Sequence, residues 1–143
     1  MTSLKDALSD NTKRNAVIDA CVQLVDDEVQ KKKGLGGMVI KGGYKAIKGI
    51  SPGFIRKVVD KLLDEWVEQL EPIWQEGGDD PAGHLKANPS RVADALLHVT
   101  DEKSKNAQRK IVKSTYDKLR PTAKEHVESA VPGLAGVLKT HVA

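Results

Sequence analysis

Cysteine occurs once, at position 21, and aromatic rings are scarce: Tyr44, Phe54, Trp66, Trp74 and Tyr116 are the whole set. A single thiol excludes an intramolecular disulfide and fits a reducing compartment, so a cytoplasmic location is expected. The opening residues MTSLKDALSDNTKR hold no apolar stretch of the kind that makes a signal peptide. No apolar run approaches the roughly 18–20 residues of a membrane span, so no transmembrane segment is expected. Signatures of catalysis are missing too. Gly37 and Gly42 have the spacing of a phosphate-binding G-x-x-x-x-G-K-[ST] loop, but Gly43 and Tyr44 stand where its lysine and hydroxyl are required. A dinucleotide motif fails because Val39 takes the third glycine position and no strand precedes Gly34. His84, His98, His126 and His141 lack the short intervals that put metal ligands on one face, and they read as surface or boundary residues. Cys21, on an apolar helix face, reads as a small buried hydrophobe. Asp26-Asp27-Glu28 and Asp64-Glu65 read as solvated faces or as partners for lysines. We expect no enzyme, no cofactor and no metal.

What is present points to helices. Lys, Glu, Asp, Ala and Leu dominate, and 143 residues suffice for one all-α domain over 1–143. The pattern predicts a bundle of six to seven helices. After a weakly ordered or briefly helical lead-in, Asn11 or Thr12 caps a helix to about Lys33, which buries Val17, Ala20/Cys21, Leu24, Val25 and Val29. Ser51 and Pro52 start a strongly amphipathic helix that Pro72 closes. Asp80-Pro81 begins a short helix through Ala87, and Asn88-Pro89 another ending near Asp101. Ile111 to Leu119 forms a helix stopped by Pro121, and a last one follows from Thr122, kinked or broken by Pro132.

Between the first two long helices, residues 34–53 hold seven of the twelve glycines. Leu35, Met38/Val39, Gly42/Gly43, Ala46/Ile47 and Ile50 fall on one helical face, with Lys41, Lys45 and Lys48 largely opposite. Each interior glycine costs ~1 kcal/mol of helix propensity, so glycines retained on that face imply close packing. A buried, central helix is expected, and Gly42→Leu is expected to destabilise by roughly 2–4 kcal/mol through overpacking.

Charge is unevenly spread. Residues 30–61 carry nine Lys or Arg against Asp60 alone, whereas residues 62–82 carry seven acids and no base. The blandest expectation is a solvated lysine rim paired with that acidic block. As a binding face, the candidates are Lys41, Tyr44, Lys45, Lys48, Arg56 and Lys57. They suit protein–protein binding or self-association through residues 34–57, or electrostatic binding of an anionic lipid or nucleic-acid surface. Peripheral membrane contact is compatible with the pattern, whereas nucleic acid is disfavoured, since only Tyr44 offers a stacking ring nearby. A homo-oligomer or another protein is the expected partner.

The halves resemble each other. Val17-Ile18-Asp19-Ala20 matches Val92-Ala93-Asp94-Ala95, Asp26-Asp27 matches Asp101-Glu102, and Val39-Ile40-Lys41 with Tyr44 matches Ile111-Val112-Lys113 with Tyr116. Pro52 and Pro121 then each begin a third helix. This predicts two degenerate three-helix units, over 12–75 and 88–143, related by a pseudo-two-fold axis. The run G-x-x-x-K-x-x-Y-K-x-x-K-G-I-x-P-G-F (Gly37 to Phe54), V-V-D-x-L-L (Val58–Leu63), V-A-D-A-L-L (Val92–Leu97) and Y-x-K-L-R-P-x-A-K-x-H-V-E-x-A-V-P-x-L (Tyr116–Leu134) together resemble a family of small bacterial proteins of unknown function. The resemblance covers most of the chain and implies a compact bacterial domain without assigning an activity.

Overall fold

The computed structural model describes residues 3–142, and among them seven α-helices occur and no strand. The first, α1 (Leu4–Ala7), is short but fully integrated. Ser3 accepts the Asp6 amide, and Leu4 is completely buried. The amides of Leu4 and Lys5 each donate to the Glu71 carboxylate at 3.1 Å. Asp10, one residue ahead of the expected cap, accepts the Thr12 amide and starts α2 (Asn11–Lys31). That helix stops at Lys31 because Gly34, with φ +71°, begins a new one instead of closing the old. The glycine stretch forms α3 (Gly34–Lys48).

The next helix, α4 (Phe54–Glu76), starts later than the Ser51-Pro52 signal implied. Ser51 and Pro52 lie in a turn, and Gly53, at φ +71°, precedes the helix without a side-chain cap. Asp80 and Pro81 do start α5 (Pro81–Ala87), with the Asp80 carboxylate accepting the Gly83 amide. The following α6 (Pro89–Lys105) runs past Asp101, and α7 is a single helix from Lys110 to His141.

Two proline expectations are therefore overturned: Pro72 does not close its helix and Pro121 does not stop one. Pro72 lies inside α4, and Pro121 and Pro132 inside α7. A helix-interior proline removes one hydrogen bond and costs ~3 kcal/mol. All three rings are exposed, so the carbonyls they strand stay near water. Beyond each proline, packing holds the chain helical. Ile73 and Trp74 are 3% and 1% exposed, and burying such side chains contributes ~1.5–3 kcal/mol each. Around Pro121, Arg120 and Lys124 bind Asp101 and Asp94 of α6, which clamps both sides of the ring to one neighbour. Val131, Ala135 and Leu138 do the same through the core across Pro132. Neither Pro52 nor Pro121 begins a helix, so the second half lacks the separate third helix that its pattern implied.

Helix α7 lies along α6 and α2, α4 packs on α6 and α2, and α1 and α5 close one end. Their inward residues, from Leu4 through Ile18, Leu63 and Trp74 to Leu85, Val92 and Val131, make one continuous core. Arg91 grips both oxygens of Glu76 at 2.6 Å, tying the end of α4 to the start of α6. No residue of α3 belongs to the core cluster.

Candidate functional site

The expected burial of α3 is wrong, and the reason is geometric. The helix is apolar on nearly every side except a lysine flank, so two opposite faces could equally have packed inward. Gly37, Ile40, Gly43, Tyr44 and Ile47 turn towards the bundle, and of the whole helix only Gly37 is buried. The opposite stripe is solvent-facing: Leu35 is 84% exposed, Met38 69% and Val39 41%, with Gly42 and Ala46 continuing it. Close approach does occur, though not at Gly42, which has nothing within 4 Å of a would-be Cβ. At Gly43 a Cβ would stand 3.0 Å from Thr115 Cγ2 and 3.1 Å from Leu119 Cδ1, and at Gly37 2.6 Å from the Lys32 carbonyl carbon. Those two glycines let α3 lie against α7 and against the end of α2.

The six candidate residues divide. Lys41 and Lys45 are exposed and form no ion pair among the described residues. Lys48 stands 3.9 Å from Asp26 and lies over the Tyr44 ring, 5.7 Å from its centroid. Tyr44 points inward, towards Asp26; partial burial, and then the charge of that carboxylate, raise its pKa. Arg56 is a tie between helices, with Nε 2.9 Å from Asp19 on α2. Lys57 is exposed on α4. One flank of α3 thus gathers Lys41, Lys45 and Lys48. The acidic block does not serve them. Arg14 takes Asp60 and Asp64 (3.2 and 2.6 Å), Lys103 takes Glu65 (2.7 Å), Arg91 takes Glu76, and Glu71 caps α1.

A second tyrosine site escaped sequence reading. The Tyr116 hydroxyl is hydrogen-bonded to Asp101, and lies 2.8 Å from Thr100 Oγ1, while Arg120 Nε donates to the same carboxylate at 2.8 Å. Burial, then the bond to Asp101, push the Tyr116 phenol up to about 12, and Arg120 holds Asp101 below the usual carboxylate range. A phenol so held does not act as a base near neutral pH. Asp26, Tyr44 and Lys48 repeat the same acid–phenol–cation arrangement, with the cation four residues after the tyrosine in both. That spacing was visible in the matched segments. A shallow hollow here also includes His98 and Lys113. Among the described residues no three His, Cys, Asp or Glu side chains gather as a metal site would.

The remaining concavity is apolar. About 290 Å³ of space lies between α2, α4, α6 and α7, with Ile40 of α3 at its edge. Cys21 is in its wall, and burial pushes that thiol up to about 11. His126, also in the lining, has its pKa lowered, first by burial and then by the charge of Lys32.

No helix among the described residues is long and apolar enough to cross a membrane. Neither a curated protein nor a solved structure matches the chain. A family model does, over residues 4–142, nearly the full length of the fold described above, and by that match the chain belongs to the family of unknown function DUF6918.

Proposed function

We propose that the protein is a non-enzymatic interaction module that docks through the outer side of α3, in protein–protein binding or self-association. The observation that carries this is the exposure of Leu35, Met38 and Val39, spaced i, i+3, i+4 along one helix and unused by the core. Apolar anchors at that spacing are what helix-in-groove and helix-on-helix recognition use. The unpaired Lys41 and Lys45 beside them favour a partner helix with an acidic edge. A bacterial cytoplasm is the setting we infer, in keeping with the resemblance and with the single unbridged thiol.

The two matched halves support a specialised role for this stripe, if they are degenerate copies, as we infer. Burial follows the same order along 38–47 and 110–119. Leu63, Val67, Leu70 and Trp74 have core counterparts at Val131, Ala135, Leu138 and Val142, each 68 residues further on. Gly43 rests on Thr115, its own counterpart by the Tyr44–Tyr116 match, as residues on a two-fold axis do. Met38, Gly42 and Ala46 correspond to Lys110, Ser114 and Lys118, whereas Val39 corresponds to exposed Ile111. The apolar stripe is thus largely confined to the first half.

The lysine flank favours one second reading, an anionic lipid surface. An interfacial helix needs this combination of exposed apolar residues and adjacent cations. Sedimentation velocity over a wide concentration range tests self-association, with dimers expected for wild type and monomers for Met38→Lys/Ala46→Lys. Identified partners are tested by direct binding with the same variant. Flotation with phosphatidylglycerol rather than phosphatidylcholine vesicles, reversed by salt and by Lys41→Glu/Lys45→Glu, would move the assignment to lipid. Variants indistinguishable from wild type in all three assays would sink the role of α3.

A further inference from the structure

Interiors are close-packed, and voids much larger than a water molecule are few. The space between α2, α4, α6 and α7, about 290 Å³, is open to solvent on one side, yet it leaves an apolar surface that no helix of the bundle fills. Its walls are Cys21, Leu24, Val25, Trp66, Leu96 and Leu134, with further aliphatic side chains between them. The indole nitrogen in the wall is already satisfied, since Trp66 Nε1 donates to the Leu96 carbonyl at 3.2 Å. Water entering such a space finds few partners, whereas an apolar cavity of ~150 Å³ stays dry and takes up benzene. Twice that room suits about a dozen carbons.

The polar lining is not scattered. Lys32 Nζ lies 3.8 Å from Glu28 and 3.4 Å from the Ser129 hydroxyl, which itself donates to Glu28 at 3.3 Å. Glu28 is further neutralised by Lys31 at 3.3 Å. Beside them His126 makes no hydrogen bond among the described residues, and its main charged neighbour is Lys32. Lys32 and the free imidazole of His126 both line the apolar opening, with Glu28 shared between two lysines and Glu125 the weaker charged neighbour of His126. The Lys32 ammonium and a His126 ring N–H are the donors available there to the head of an acid.

We propose that this cavity binds a single-chain carboxylic acid of about a dozen carbons, the chain between the helices and the carboxylate beside Lys32 and His126. The site is separate from the outer side of α3 and stands whether or not that side docks a partner. Trp66 provides a direct reporter. Trp74, the other indole, is buried in the core and can be removed as Trp74→Phe.

Titration of that variant with dodecanoate below its micellar concentration should change Trp66 emission saturably at one ligand per chain. Acetate, which has the head without the chain, should not bind. Dodecanol, which has the chain without the head, should bind about tenfold or more weakly. Ala130→Leu, which fills the cavity from α7, should weaken dodecanoate about tenfold or more. Should that variant fold poorly, Val25→Trp, from a position already 37% exposed, blocks the same space without touching the deep core. Lys32→Gln should erase the preference for dodecanoate over dodecanol. The proposal is overturned if emission never saturates, or if both filling variants bind as wild type does. Equal affinity for the acid and the alcohol would overturn the placement of the carboxylate.

Discussion

Helix α3 and the first third of α7 are built alike on the inside and unlike on the outside. Each turns a tyrosine towards an aspartate of the preceding long helix and follows it with a cation four residues on, although only Tyr116 is hydrogen-bonded to its aspartate. The two segments even touch, at Gly43 and Thr115. Yet the water-facing positions of α7 are Lys110, Ile111, Ser114 and Lys118, where α3 has Met38, Val39, Gly42 and Ala46. The fold evidently tolerates lysine and serine at such positions. An exposed methionine is therefore not a requirement of packing, and its retention on α3 is in keeping with the docking role proposed above.

The comparison breaks most visibly at the contact. Gly43→Leu should destabilise by about 2–3 kcal/mol in urea melts, because Thr115 and Leu119 already stand at the limit of approach. Gly42→Leu should be neutral or gain up to ~1 kcal/mol of helix propensity. The reverse order would return α3 to the buried role that its glycines first suggested. Next, Tyr116→Phe should cost about 1–2 kcal/mol, since it removes the phenol shared between Thr100 and Asp101. Tyr44→Phe should cost less, because Lys48 is more distant from its carboxylate (3.9 Å) than Arg120 is from Asp101 (2.8 Å).

A smaller effect follows from titration. Tyrosine in an unfolded chain ionises near pH 10, and in the fold Tyr116 is raised to about 12. Its contribution is thus fully present below pH ~10 and is lost as pH climbs towards about 12. Melts across that range should show wild type losing an advantage over Tyr116→Phe; parallel curves would contradict the assignment. The smallest expected change is in the stability of Met38→Lys/Ala46→Lys, which places on α3 the residues found at 110 and 118. Its midpoint should stay within ~0.5 kcal/mol of wild type while docking is lost.

Much of the fold is legible in the chain. Period marks α2, α4 and α6 because each has one apolar face and a polar remainder, as in Val59, Leu63, Val67 and Leu70, and the Asp80 cap marks α5. Pro72 and Pro121 misled because their cost is local, whereas the packing that outweighs it comes from Trp74 and the Asp94 and Asp101 ion pairs. Helix α3 misled for the opposite reason, since with apolar residues nearly all round its local pattern does not select a face. The lysines of the candidate site were legible as a flank. That Tyr44 and Arg56 are internal ties was not, because it depends on which residues of α2 lie across from them. The apolar cavity depends on helices far apart in sequence and has no local signature.

The Glu71 carboxylate, set where it caps α1, links a residue at one end of the chain to one near its middle. Until α4 exists, the amides of Leu4 and Lys5 lack the Glu71 carboxylate, and Leu4 and Leu8 have no slot to fill. A segment synthesised before α4 thus settles after it. We expect the amides of α1 to gain exchange protection late in refolding, after those of α4, because closing a long loop must precede the contacts that reward it. A nascent chain halted before residue 71 would carry Leu4 and Leu8 bare, a natural foothold for a chaperone.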